Sequence, residues 1–187
     1  ARTIKIESDQ ADGIDLVKTT INGVLKEVRS IATGLVLPEL ANKSVVETLQ
    51  MITDVARMRT KATISLECNS LPNICSAELN DAIYRFVQEA LNNSFQHAGG
   101  RGQKVKAFVS SKILTLEVID TGNGFDLKKV NSLPSHLGLS GMHNRINAIG
   151  GTLNIESHIG KGTTLIARIP LAPLVKKSAR KRKFAIA

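Results

Sequence analysis

Apolar residues recur at helical spacing through Leu16, Val17, Ile21, Val24, Leu25, Val28 and Ile31, which predicts an amphipathic helix from about Ile14 to Thr33, ended near Gly34. Pro38 interrupts the pattern. A second helix is predicted from about Lys43 through Met58, with Val45, Val46, Leu49, Ile52, Val55 and Ala56 on one side. Thr63 to Glu67 then alternates as a short strand does. From Ala77 to Ala98 a longer helix carries Ile83, Phe86, Val87, Ala90, Leu91 and Ser94 as a stripe. Arg85, Glu89, Asn92, Asn93 and Gln96 lie away from that stripe, and Gly99-Gly100 closes the helix.

Two strands are predicted next, Lys104 to Ser110 and Ile113 to Ile119, the second ending at Asp120. After Gly124 comes a polar stretch to about Leu137, then a Gly-rich turn from Gly138 to Gly141, a helix from Met142 to Ile149 and a Gly150-Gly151 stop. The last strands, Thr152 to Ser157 and Thr163 to Leu171, are joined by Gly160-Lys161-Gly162. Helices alternating with mostly hairpin-linked strands in this order predict an α+β fold, a two-layer α/β sandwich with one face of the sheet covered. No internal repeat is present.

At 187 residues and 42% hydrophobic content the chain can bury one full core and a smaller accessory element. Aromatic residues make up 3% and tryptophan is absent, so the core is aliphatic and base-stacking platforms for single strands are not expected. No apolar run approaches the roughly 20 residues of a membrane helix. Cys68 and Cys75 have no His or acidic partners at metal-ligand spacing and read as reduced thiols. The net charge of +9 suggests a nucleic-acid partner until it is located: Lys176, Lys177, Arg180, Lys181, Arg182 and Lys183 place six positive charges, with no acid, in residues 172 to 187. Such a block reads as a solvated basic tail, and no direct nucleic-acid role is expected.

Glu89, Asn93 and His97 are spaced by four, and each step turns a helix by only about 40°, so the three form one stripe that can address a single ligand. A carboxylate and a carboxamide oxygen are hard donors suited to Mg²⁺, which keeps several waters and bridges phosphate oxygens. A solvated polar face would have the same spacing. Asp120 ends an apolar strand and is followed by Gly122 and Gly124, so its carboxylate is expected to be partly buried and able to accept from the exocyclic amine of a base, with the glycines letting backbone approach a flat ring. An Asp-Gly turn between strands is the plain alternative. His136-Leu137-Gly138-Leu139-Ser140-Gly141-Met142 puts small residues and free backbone N–H groups at a helix start, an anion site by construction, and Gly160-Lys161-Gly162-Thr163 reads as a hairpin turn with a hydroxyl in reach of a ligand.

In their order along the chain these pieces resemble the ATP-binding domain of histidine kinases, over about Asp81 to Leu171. Gln88-Glu89-Ala90-Leu91-Asn92-Asn93 with His97 matches the family's first box, Asp120-x-Gly122-x-Gly124 the second, Gly138-Leu139-Ser140-Gly141-Met142 the third and Gly160-x-Gly162-Thr163 the last. Tyr84-Arg85 through His97 and Gly138 to Arg145 are most similar to the nitrate/nitrite-type sensor kinases. The resemblance implies the Bergerat ATP fold, with ATP and Mg²⁺ as cofactors and a short lid from about Phe125 to Leu137. By the same resemblance Asn93 coordinates Mg²⁺, with Glu89 able to join it, and Glu89 assists proton removal from the phosphate acceptor. Asp120 binds the adenine amine, Gly122 and Gly124 shape the base pocket, and Gly138, Leu139, Gly141 and Met142 hold the phosphates. Thr163 supports the adenine end, Gly162 beside it belongs to the ATP-binding set, and His97 sits near the phosphates or orients the helix.

Such a kinase transfers the γ-phosphoryl group to a histidine on an upstream dimerisation helix and then relays it to a response regulator. Residues 1 to 96 contain no histidine; His97, His136, His143 and His158 all fall in the ATP-binding stretch. Lys26 to Leu40 looks like the second dimerisation helix and its exit. The expected organisation is therefore a helical segment at 1–60 that lacks the acceptor, an ATP-binding domain at 61–172 and a basic tail at 173–187. A piece cut between the two dimerisation helices is expected, one that binds Mg-ATP without phosphorylating itself, with a natural chain that phosphorylates or binds another protein in trans as the alternative. The parent protein is expected to be a cytoplasmic homodimer, with a membrane anchor upstream left open. An ATP-driven conformational clamp of the same superfamily, or a degenerate interaction module, remain as alternatives, and the signal sensed is not encoded here.

Overall fold

The computed structural model describes residues 38–69, 71–74, 76–126 and 137–171. The helix expected at 14–33, Cys75, the stretch 127–136 with His136, and the basic tail lie outside the described residues. A 3-10 turn at Pro38–Leu40 precedes helix α1, Val45–Thr60. Strand β1, Ile64–Asn69, leads into helix α2, Ala77–Ala98. Strands β2, Gln103–Ser110, and β3, Ile113–Asp120, follow. Helix α3, Leu137–Ala148, and strands β4, Thr152–His158, and β5, Gly162–Pro170, complete the order.

The five strands form one sheet in the order β1-β2-β3-β5-β4. β1 and β2 run parallel, because α2 carries the chain across between them, and every other pair is antiparallel. The expected α+β layers are thus present, with α1, α2 and α3 packed together and against the sheet. Leu114, Leu116 and Val118 of β3 alternate inward, as do Leu165, Ala167 and Ile169 of β5, and meet Ile83, Phe86, Val87 and Leu91 of α2. The same alternation puts Asp120 and Thr163, which are register partners, on this helix-covered face.

Two details of α1 and α3 differ from the sequence expectation. Val46 and Val55 of α1 are 40% and 41% exposed, and Thr48 and Thr53 are buried in their place. The buried set, Val45, Thr48, Leu49, Ile52 and Ala56, follows the helical period, and Val46 and Val55 fall off that face. Thr53 is tolerated inside because its hydroxyl donates to the Leu49 carbonyl at 3.0 Å. The Gly-rich segment Gly138–Gly141 is the first turn of α3 and not a turn ahead of it, since the helix begins at Leu137. Glycine is permitted in a first helical turn, and the burial of Met142 and Ile146 anchors the helix one turn farther on.

Helix α2 determines where the site lies. Ser76 caps its start by accepting from the Leu79 N–H at 3.3 Å, and Gly99, at φ 62°, ends it in the left-handed conformation that glycine adopts without strain. Between them lie 22 residues, about 33 Å of helix at 1.5 Å per residue, enough to span the sheet. Its buried face carries the stripe expected from Ile83 to Ser94.

Candidate functional site

A cleft of about 630 Å³ opens between α2, the start of α3 and the adjoining ends of β3 and β5. Glu89, Asn93 and His97 enter it from α2, Asp120 and Gly124 from the end of β3, Gly138 and Leu139 from α3, and Thr163 from β5. Its volume lies within the few hundred to a thousand Å³ typical of small-molecule sites.

The end of the cleft around Asp120 is built by backbone. Asp120 Oδ1 accepts from the Gly122 N–H at 2.8 Å, so the carboxylate organises its own turn and makes no other hydrogen bond among the described residues. Gly122 packs so closely on Ala98 at the end of α2 that a Cβ would overlap the alanine methyl. Gly124, at φ 57°, leaves no room for a Cβ beside the His158 carbonyl, and Gly162, at φ 87°, leaves none beside the carbonyl of Asp120. Ser157 ties the same corner together: its hydroxyl accepts from the Phe125 N–H at 2.9 Å, lies 3.2 Å from the Gly162 carbonyl and 3.0 Å from the Thr163 hydroxyl. On the outside, Arg101 Nη2 donates to Asn123 Oδ1 at 3.0 Å and its Nε to the Ala98 carbonyl at 3.1 Å.

The other end is built by side chains. The side chains of Glu89, Asn93 and His97 make no hydrogen bond or ion pair with protein among the described residues, which leaves their polar atoms to a ligand. Gly138 brings α3 against this stripe: a Cβ there would stand 2.7 Å from Glu89 Oε1 and 3.7 Å from Asn93 Nδ2. One and two turns toward the start of α2 the stripe continues as Arg85 and Asp81, with Arg85 Nε donating to Asp81 Oδ1 at 3.0 Å and Oδ2 at 3.2 Å. Arg145 of α3 faces this cluster. Burial, and after it the Arg85 guanidinium, hold Arg145 below the ordinary arginine range, with Asp81 and Glu89 opposing.

Of the twelve residues singled out in the sequence, four do not line the cleft. Gly122 and Gly162 shape it from behind, as the close contacts above require. Gly141 sits on α3, where the nearest atom to a Cβ would be Arg145 Nη2 at 4.0 Å, and Met142, 1% exposed, belongs to the core. Ala90, Ser94, Ala98, Asn123, Phe125 and Leu165 also line the cleft, and no sequence signal singled them out as ligand contacts. The alanines and Ser94 recur every four residues on α2, a spacing that could have been read as the floor beneath the Glu89 stripe.

The donor set fits a magnesium ion that keeps phosphate and water ligands. Glu89 and Asn93 offer oxygen atoms without protein partners, and among the described residues no group of three or more His, Cys, Asp and Glu side chains forms a closed cage. No helix among the described residues is long and apolar enough to cross a membrane.

The family described as histidine kinase-, DNA gyrase B-, and HSP90-like ATPase matches residues 78–173. The sensor histidine kinase LiaS of Bacillus subtilis (strain 168) is 31% identical over 160 residues, which cover 86% of this chain and 43% of LiaS. The sensor histidine kinase MctS of Rhizobium johnstonii is 33% identical over 163 residues, covering 87% of this chain and 35% of MctS. The chain therefore spans less than half the length of either relative. Among solved structures, the Acinetobacter baumannii histidine kinase AdeS has the same fold, with a TM-score of 0.62 at 18% identity over 83% of this chain and 84% of that one.

Proposed function

We propose, from the premise that this chain belongs to the histidine kinase-, DNA gyrase B- and HSP90-like ATPase family, that it is the ATP-binding catalytic portion of a two-component sensor histidine kinase. The observation that carries the reading is the convergence on one cleft of an unpartnered carboxylate and carboxamide from α2 with an inward-facing Asp120 at the far end. Asp120, with one oxygen engaged by its own turn, accepts from the adenine amine, and Thr163 beside it completes the base end. Asn93 would hold Mg²⁺ through its carboxamide oxygen, and the ion when bound would supply charge neutralisation at the phosphates. Gly138 and Leu139, in the first turn of α3, bring backbone N–H groups and the positive end of the helix dipole to the phosphates. Glu89 accepts a proton from the attacking imidazole.

The phosphoryl group passes to a histidine that is none of the four in this sequence, for relay to a response-regulator aspartate. In this reading the dimerisation role of the segment expected at 1–60 belongs to the part ahead of α1, because the buried face of α1 packs into the core with α2, and residues 61–172 bind the nucleotide. Titration calorimetry of the chain with ATP, with and without Mg²⁺, tests the binding half. Transfer of label from γ-labelled ATP to a supplied acceptor-helix segment as acid-labile phosphohistidine tests the chemical half. Absence of binding by the folded chain would revert the reading to an interaction module, and steady ATP turnover without an acceptor would favour a conformational clamp.

A further inference from the structure

Ala90, Ser94 and Ala98 face the cleft at successive turns of α2. The two alanines present methyl groups only. Ser94 is 5% exposed, and its Oγ is buried with no hydrogen-bond partner among the described residues. A serine or threonine inside a helix ordinarily donates to a carbonyl three or four residues back. Thr53 does so to Leu49 at 3.0 Å, and Thr60 does so to Ala56 at 2.7 Å, but Ser94 does not. Among the described residues three other buried polar atoms lack partners, Thr48 Oγ1, Asn80 Oδ1 and Gln103 Oε1, and none of those residues lines the cleft. Asn80 and Gln103 also hold other elements through their amide nitrogens, to the Leu40 and Leu91 carbonyls at 3.0 and 2.9 Å. Ser94 alone among them combines an unmet hydroxyl with a position on the cleft wall.

Its place along the cleft identifies the part of the ligand it meets. Ala98, one turn farther on the same face, is the residue on which Gly122 packs, and the Gly122 N–H is bonded to Asp120. Ser94 therefore lies on the cleft wall one turn from the Asp120 end, where the nucleotide reading places the base. We propose that Ser94 is a base-recognition residue, its hydroxyl donating to a ring nitrogen that flanks the exocyclic amine of adenine while Asp120 accepts from that amine. The two groups are complementary in sense: a carboxylate can only accept, a hydroxyl can donate, and adenine offers a donor beside two acceptors, N1 and N7. A purine with an oxygen in place of the amine sets an acceptor against the carboxylate and is rejected. With no bond holding the hydroxyl in place, rotation about χ1 to meet the base sacrifices nothing.

The proposal rests on the nucleotide reading, and the test separates the two. ADP, 1-deaza-ADP and 7-deaza-ADP are titrated into the whole chain and into Ser94→Ala, with thermal midpoints recorded without nucleotide. The expected result is that Ser94→Ala weakens ADP about 3- to 10-fold, the worth of one hydrogen bond. One of the two deaza analogues should bind wild type correspondingly more weakly and be indifferent to the substitution. The midpoint of Ser94→Ala without nucleotide should stay level or rise, because an unmet hydroxyl has been removed from the interior, and a purely structural role would lower it. Equal binding of ADP by wild type and Ser94→Ala, or wild-type binding of both deaza analogues as tight as ADP, overturns the role of Ser94 and leaves the nucleotide site standing. Failure of the wild-type chain to bind ADP overturns both.

Discussion

The two ends of the cleft are made of different material. Around Asp120 the walls are backbone packed on backbone: the Asp120 turn, Gly124 under His158, Gly162 under Asp120, and Ser157 bonding to three neighbours at once. Around Glu89 they are side chains without partners, brought near α3 by a glycine. A rigid end is suited to a flat, invariant group such as a base, where pre-organisation saves entropy on binding. An end with unmet polar atoms is suited to groups that arrive with their own charge and metal and that change during the reaction. The contrast makes stability and chemistry separable, since changes at one end should unfold the protein or abolish binding, while changes at the other should leave a folded domain with impaired chemistry.

The largest effect is expected from Asp120→Ala. Removing the charged acceptor for a buried amine should weaken ADP roughly 100-fold in calorimetry. If affinity falls by less than about 5-fold, the base does not lie at this end. Gly124→Ala comes next and should act on the fold. A side chain at φ 57° that also meets the His158 carbonyl should lower unfolding free energy by about 2–3 kcal/mol in urea titration. An unchanged midpoint would show this corner to be softer than its packing implies.

Asn93→Ala tests the opposite end. It should weaken nucleotide about 10-fold when Mg²⁺ is present and change binding little in excess chelator, because the base contacts are untouched. The smallest thermodynamic effect is expected from Gly138→Ala. Alanine favours helix over glycine, so stability should rise or hold within about 1 kcal/mol. The new methyl would displace Glu89 from its position 2.7 Å away, so phosphoryl transfer to a supplied acceptor should fall by a larger factor than ADP affinity. Equal losses in transfer and affinity would mean that the two ends are not separable.

Much of this was legible beforehand. The bounds of α2 agree with its apolar stripe and its closing glycines, because each is a local signal within one helix. The α+β layers were readable from period, and the partial burial of Asp120 from its place at the end of an apolar strand. The orientation of α1 was not, since Thr48 and Thr53 look polar until a carbonyl acceptor in the same helix is available to Thr53. Nor was the start of α3: glycines signal a turn in sequence, and only the anchoring of Met142 and Ile146 in the core draws the helix back to Leu137.

Spacing along the chain set the order of helices and strands and the order of the four boxes. The tertiary structure decided which of the boxed residues touch the cleft and which brace it from behind. Gly122 and Gly162 serve the site through contacts with Ala98 and the Asp120 carbonyl, and Met142 serves the core. It also decided that Ser94, unremarkable within an apolar stripe, carries an unmet hydroxyl. Spacing cannot report either fact, because a contact or an unpaired hydrogen bond depends on which distant segment the fold packs alongside.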